Sequence, residues 1–186
     1  MSKRQQLLDT AAGLFVKQGV DNTATAQISK EAGVATGTLF YHFKNKDELI
    51  CALVLNIKEN VLRYVQEGLD KDTDYKNQMR GIWLAYMSWA IENPIEFQFR
   101  LQVESLVSLD EATQAQMDTM TSGIDELVLS GLHSGHFKAL DEEFFFAVIG
   151  ALVNAAAGHF IERPELFEDD TARELMFQSF WDSLSV

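Results

Sequence analysis

Two prolines, Pro94 and Pro164, are the only prolines in 186 residues, and apolar side chains elsewhere recur three and four positions apart. Proline inside a helix removes a hydrogen bond and clashes with the preceding turn, so its scarcity permits long helices. Apolar residues spaced in this way form one face of a helix, whereas strands alternate. The expected fold class is therefore all-α. Apolar residues make up 47% of the chain and include 13 Phe and 3 Trp, enough for a packed core rather than a disordered chain.

The single cysteine, Cys51, excludes an intramolecular disulfide and a cysteine-rich zinc site. The start, MSKRQQLLDTAAGLF, is charged and then amphipathic, without the apolar block of a signal peptide. The most apolar run, residues 144–153, reads as too short to span a bilayer. A soluble, cytoplasmic protein with no membrane partner is expected.

The net charge of −13 argues against a nucleic-acid partner until it is divided along the chain. Residues 1–46 carry Lys3, Arg4, Lys17, Lys30, Lys44 and Lys46 against Asp9, Asp21 and Glu31, a net of +3. The other 140 residues hold nine basic and 25 acidic side chains, a net of −16. Such asymmetry points to the first quarter as the part that meets an anion.

A first helix is predicted over 3–18, with Leu8, Ala11, Ala12 and Phe15 inward and Gly19 as its stop. A second covers 25–32 with Ile28 inward and Gly33 as terminator, placing Thr25 where it could cap the helix or meet a phosphate. A third covers 36–43. The fourth begins near Asn45, which with Glu48 forms a capping-box pattern, and continues through Leu49, Ala52, Leu53, Ile57, Val61 and Val65. Further helices are predicted over 75–91, 95–107, 111–133, 142–161 and 171–184, about nine in all.

Two short helices joined by a tight turn, after a longer packing helix, form a helix-turn-helix whose second helix enters the DNA major groove. The stretch GTLFYHFKNKDEL fits that role. At about 100° per residue, Leu39 and Phe43 define an inward face, Gly37, Thr38 and Tyr41 point outward, and Phe40 and His42 flank them. Lys46 falls in the first turn of the next helix, where the dipole disfavours a cation unless an anion joins it. The alternative is that Lys44 and Lys46 are ordinary solvated lysines.

LLDTAAGLFVKQG and ISKEAGVATGTLFYHFKNKDEL together resemble the N-terminal domain of the tetracycline-repressor (TetR) family of bacterial transcription regulators. The resemblance covers residues 3–50 nearly without gaps; the remaining 136 residues match only in layout. It implies base or phosphate contacts from Thr36, Gly37, Thr38, Tyr41 and His42, with Lys46 on a phosphate. This chain departs from the family pattern at three places. Phe40 stands where the family usually has tyrosine, Ala35 where serine often caps the recognition helix, leaving Thr36 as the expected cap, and Ala26 where many members carry arginine. Fewer charged contacts imply modest affinity per half-site and dependence on dimerisation.

The resemblance divides the chain into a helix-turn-helix DNA-binding domain, 1–46, and a helical ligand-binding and dimerisation domain, 47–186. Small residues at helical spacing, Gly150, Ala151, Ala155 and Gly158, with Asn154 among them, would let a facing helix approach closely. With Phe177, Phe180 and Trp181 they are the expected dimer interface, since the family dimerises through its last two long helices. Trp83, Tyr86, Met87, Phe97, Phe99 and Val103 are candidate apolar walls of a ligand pocket, and Gln102, Glu104 and Asn154 candidate polar contacts. Such a site suits a small hydrophobic ligand, neutral or cationic. Each of these residues, taken singly, is more often ordinary core than a ligand contact.

His133 and His136 have ligand spacing but no third ligand nearby, so no metal is expected. No Ser/His/Asp or Cys/His arrangement and no phosphate-cradling glycine loop is found, so neither an enzyme nor a cofactor is expected. The expected function is a homodimeric, ligand-responsive DNA-binding regulator, a repressor released from a palindromic double-stranded operator. The alternative is a helical ligand-binding or protein-interaction module that has lost DNA binding.

Overall fold

The computed structural model describes residues 1–106 and 109–186, with the side chains of 104–106 outside the description. The described residues form ten helices: α1 Lys3–Gln18, α2 Thr25–Glu31, α3 Thr36–His42, α4 Lys46–Gly68, α5 Tyr75–Glu92, α6 Pro94–Leu106, α7 Glu111–His133, α8 Glu142–Glu162, α9 Pro164–Glu168 and α10 Asp170–Leu184. That is one more than the sequence suggested. Each proline stands two residues after one helix and opens the next, because the first helical position needs no N–H donor and proline presets its φ. The sequence pattern missed α9 because five residues are too few to show a period.

The helices form two compact units. One holds residues 1–59 with 93–117, the other 60–92 with 118–186. In the first, α1 buries Leu8, Ala11, Ala12 and Phe15, as its stripe predicts, and Leu7 and Leu14 beside them. Ser2 caps its start by accepting from the Gln5 N–H at 3.1 Å, and Gly19 at φ +86° ends it. Helices α2 and α3 pack on α1, and α6 packs on it too. The Phe15 and Phe99 rings stack at 5.8 Å, and Gln102 donates to the Val16 carbonyl at 3.5 Å.

In the second unit α5 packs along α8, and α9 and α10 close against α8. Trp83 is the centre of this core, with Phe160 at 5.9 Å and Phe177 at 5.7 Å, both edge-on. The end of α4 meets α5 backbone to backbone: a Cβ at Gly81 would lie 2.2 Å from the Gly68 carbonyl oxygen. The end of α7 is fixed by Tyr75, whose hydroxyl donates to the carbonyls of Val128 at 3.1 Å and Leu127 at 3.3 Å. Burial pushes the Tyr75 phenol up to about 12. Helix α8 carries the apolar run past Val153 through to Glu162, so by length and composition it is long enough to cross a membrane. The sequence reading placed this helix over 142–161, through Asn154, but counted only its most apolar run, 144–153, as too short to span a bilayer.

Candidate nucleic-acid interface

The turn between α2 and α3 is built by one glycine. Gly33 takes φ +65°, its N–H reaches the Lys30 carbonyl at 3.1 Å, and the Val34 N–H reaches the Ser29 carbonyl at 2.9 Å. This pair of bonds satisfies the last carbonyls of α2, and buried Val34 anchors the exit. A side chain at residue 33 would be strained in this left-handed conformation.

Helix α3 then divides its faces as its sequence predicts. Leu39 is fully buried and Phe43 nearly so, while Tyr41 is 84% and Phe40 48% exposed. Thr36 and Gly37 are exposed; Thr38 and His42 are half-exposed. The Tyr41 and His42 rings meet edge-on at 5.2 Å. Five expected contact residues thus share one short helix above a completed core.

Thr36 does not cap α3. Ala35 holds the cap position without a side-chain bond, and the Thr36 hydroxyl lies 3.1 Å from the Ser29 hydroxyl. Ser29 is buried and donates to the Ala26 carbonyl at 3.0 Å, so these two hydroxyls tie α3 to α2. Ser29 escaped the sequence reading because its role depends on a residue of another helix. Thr25 opens α2 half-exposed, and its hydroxyl makes no cap bond.

At the start of α4, Asn45 accepts from the Glu48 N–H at 2.8 Å, as the capping pattern predicts. Glu48 reaches back to the Lys44 N–H, also at 2.8 Å, one residue before the cap. The Lys46 ammonium turns inward to the Val20 carbonyl and sits 6.0 Å over the Phe15 ring. A cation here complements the negative end of α1, which explains its place beside the acidic first turn of α4. Arg4 lies 5.5 Å over Phe43 and adds a basic group beside the end of α3.

The expected ligand residues divide between the units. Phe97, Phe99, Gln102 and Val103 belong to the first, where Phe99 and Gln102 hold α1. In the second, Trp83 and Met87 are buried, and Tyr86 and Asn154 lie 3.3 Å apart. The Glu104 side chain is outside the described residues. A groove of about 810 Å³ in the second unit is lined instead by Leu69, Met120, Ile124 and Leu127 with Gln78 and Ser130. It was missed because its walls come from segments distant in the sequence: the end of α4, the start of α5 and the body of α7.

Among the expected interface residues, Ala151 and Ala155 are exposed and Gly150, Asn154 and Gly158 half-exposed along α8. Phe177 and Trp181 correct the expectation: both are buried in the protomer, against Trp83 and Phe137 respectively. Spacing i, i+4, i+7 turns Phe177, Trp181 and Leu184 inward together. Phe180 remains half-exposed, while Leu175 and Phe144 are 67% and 57% exposed. His133 pairs with Glu142 at 3.0 Å and His136 with Ser134 at 2.7 Å, so the two histidines turn to different partners.

The model of bacterial regulatory proteins of the tetR family matches residues 7–53, from α1 into α4. A solved chain described as a tetR family transcription regulator, from Shewanella sp. PV-4, is 32% identical with a TM-score of 0.87 and full coverage of both chains. The chain belongs to the TetR family. TetR proteins are DNA-binding transcription regulators rather than enzymes. Its curated relatives include an uncharacterized HTH-type transcriptional regulator of Haemophilus influenzae, 28% identical over 55% of this chain and 54% of that protein. The HTH-type transcriptional repressor KstR2 of Mycolicibacterium smegmatis is 29% identical over 45% of this chain and 41% of the repressor. The chain thus spans about half the length of the curated relatives it matches.

Proposed function

We propose that this TetR protein is a homodimeric repressor that two recognition helices hold on a palindromic operator and that a small hydrophobic ligand releases. The observation that carries the reading is the two-faced α3, with Leu39 and Phe43 sealed inward and Tyr41 84% exposed. Thr36, Gly37, Thr38, Tyr41 and His42 meet bases or phosphates in the major groove. Thr25 and Lys46 stand at phosphates, Lys46 through the donors its Val20 bond leaves over. Residues 1–46 are the DNA-binding part and 47–186 the ligand and dimer part. The net charge of +3 on the first against −16 on the second supports that division.

The second copy covers α8. Small and apolar residues at Ala151, Ala155, Gly150 and Gly158 lie open along it, and no Cβ neighbour lies within 4 Å of either glycine. Phe144, Leu175 and Phe180 complete the apolar surface. A dimer places the recognition helices about 34 Å apart, one helical turn of DNA. The groove beside Leu69, Met120 and Ile124 has the volume of a small-molecule site. A ligand that empties the operator must favour the released state by about 10⁴-fold. A repressor among the relatives supports repression as the output.

The test begins with selection of tight-binding duplexes from a random-sequence DNA pool with the purified protein. A palindrome is expected, with affinity that falls steeply with salt. The double variant Tyr41→Ala, Lys46→Ala should lose binding; wild-type affinity in that variant would overturn the contact assignment. A folded dimer that selects no sequence at low salt would overturn the regulator itself.

A further inference from the structure

We propose that Phe40 reads the 5-methyl group of a thymine in each half-site. The inference rests on the DNA-contact reading above and adds to it a base preference. Phe40 is 48% exposed on α3, one residue before the most exposed aromatic of that helix, Tyr41. No ring or cation contact to Phe40 is found among the described residues, whereas Tyr41 has one and His42 and Phe43 have two each. A lone exposed apolar side chain is ordinary on a protein surface. This one differs because it stands on the helix that enters the groove.

Its chemistry narrows what it can touch. The ring has no donor or acceptor, so it cannot bond a phosphate oxygen or a base edge. Against a phosphate it would displace water and return nothing. The thymine methyl is the one apolar group that base pairs present in the major groove, and apolar side chains recognise it. Residues one turn earlier on a helix share a face with residue i, here Thr36 and Gly37. Gly37 has no neighbour within 4 Å of where its Cβ would lie, so the space beside the ring is open. The Ser29–Thr36 hydroxyl pair fixes the other side. Ring, bare backbone and threonine thus lie on one face of α3, where an apolar group of the groove could meet the ring.

The experiment uses the full-length protein and the tightest duplex from the random pool, with each thymine replaced in turn by deoxyuridine, which removes only the methyl. Binding by fluorescence anisotropy at low salt keeps weak variants measurable. Burial of one methyl predicts a loss of about fourfold for uridine at one position of a half-site, and about 15-fold when both half-sites carry it. Phe40→Ala should bind more weakly and lose all sensitivity at that position, while Phe40→Tyr, which keeps the ring, should retain it. An undiminished uridine penalty in Phe40→Ala would overturn the proposal, as would a wild type indifferent to every substitution. Failure of the pool to yield any tight duplex would instead overturn the contact reading and the proposal together.

Discussion

Helices α3 and α8 expose aromatic or apolar surface for opposite reasons. α3 is seven residues long, and its exposed residues lie over a core that is already closed by Leu39 and Phe43. α8 is 21 residues long, yet only Phe145, Ala157 and Phe160 are buried in the protomer. The first is complete and needs no partner to close it; what it leaves exposed is polar and aromatic. The second is incomplete, and its open stretch of alanine, glycine and phenylalanine calls for an apolar one. Exposure alone therefore does not define a site; the chemistry of what is left uncovered, and whether the core beneath is closed, does.

The largest expected effect breaks the closed core under the reading face. Phe99→Ala removes a fully buried ring that stacks on Phe15, and thermal unfolding should show a loss of about 3–5 kcal/mol. Next, Ala155→Glu would place like charges in the α8 interface and cost about 3 kcal/mol of association. Light scattering at micromolar concentration should then report monomers with intact helicity; an unchanged dimer would remove α8 from the interface. Tyr41→Ala should cost about 1–3 kcal/mol of operator affinity and leave the dimer mass untouched, which separates the two exposed surfaces directly.

A smaller effect is expected from Glu48→Ala, about 1 kcal/mol of stability, through the lost bond to the Lys44 N–H. The smallest belongs to Tyr75→Phe, below 1 kcal/mol at neutral pH, and it carries a pH signature. The phenol's pKa is raised from 10 to about 12, so between those values the folded chain keeps a proton that the unfolded chain has released. Its contribution is full below pH 10 and lost as pH rises through 12. Melting curves of the wild type should decline across that window more steeply than those of Tyr75→Phe. At the acid end, Asp110 is held below the usual carboxylate range by the Thr113 N–H and then the Cys51 thiol. Its cap on α7 should be lost as pH falls below about 4.

The first three helices and the start of the fourth were legible in the sequence because their determinants are local. The stripe of Leu8, Ala11, Ala12 and Phe15, the Gly33 stop and the Asn45–Glu48 cap each depend on neighbours within one or two turns. What stayed hidden depends on distant residues. Lys46 looks like a free cation until Val20, 26 positions away, accepts its ammonium. The apolar residues of α10 surround the helix, so periodicity could not separate buried Phe177 and Trp181 from exposed Leu175. Nor could it divide the expected ligand residues, because α6 is needed to cover α1 while α5 builds another core.

That last contact has a practical meaning for anyone wishing to graft the first three helices onto another protein. The segment of the first unit that comes from 93–117 is remote in sequence, yet it supplies Phe99 and Gln102 to the back of α1. Excising only the first three helices would leave Phe15 facing water where a ring used to lie. A chimera that preserves recognition must bring α6 along, or find a host whose own sixth helix offers a ring of matching size at the same height. The first three helices are portable only as part of a discontinuous piece.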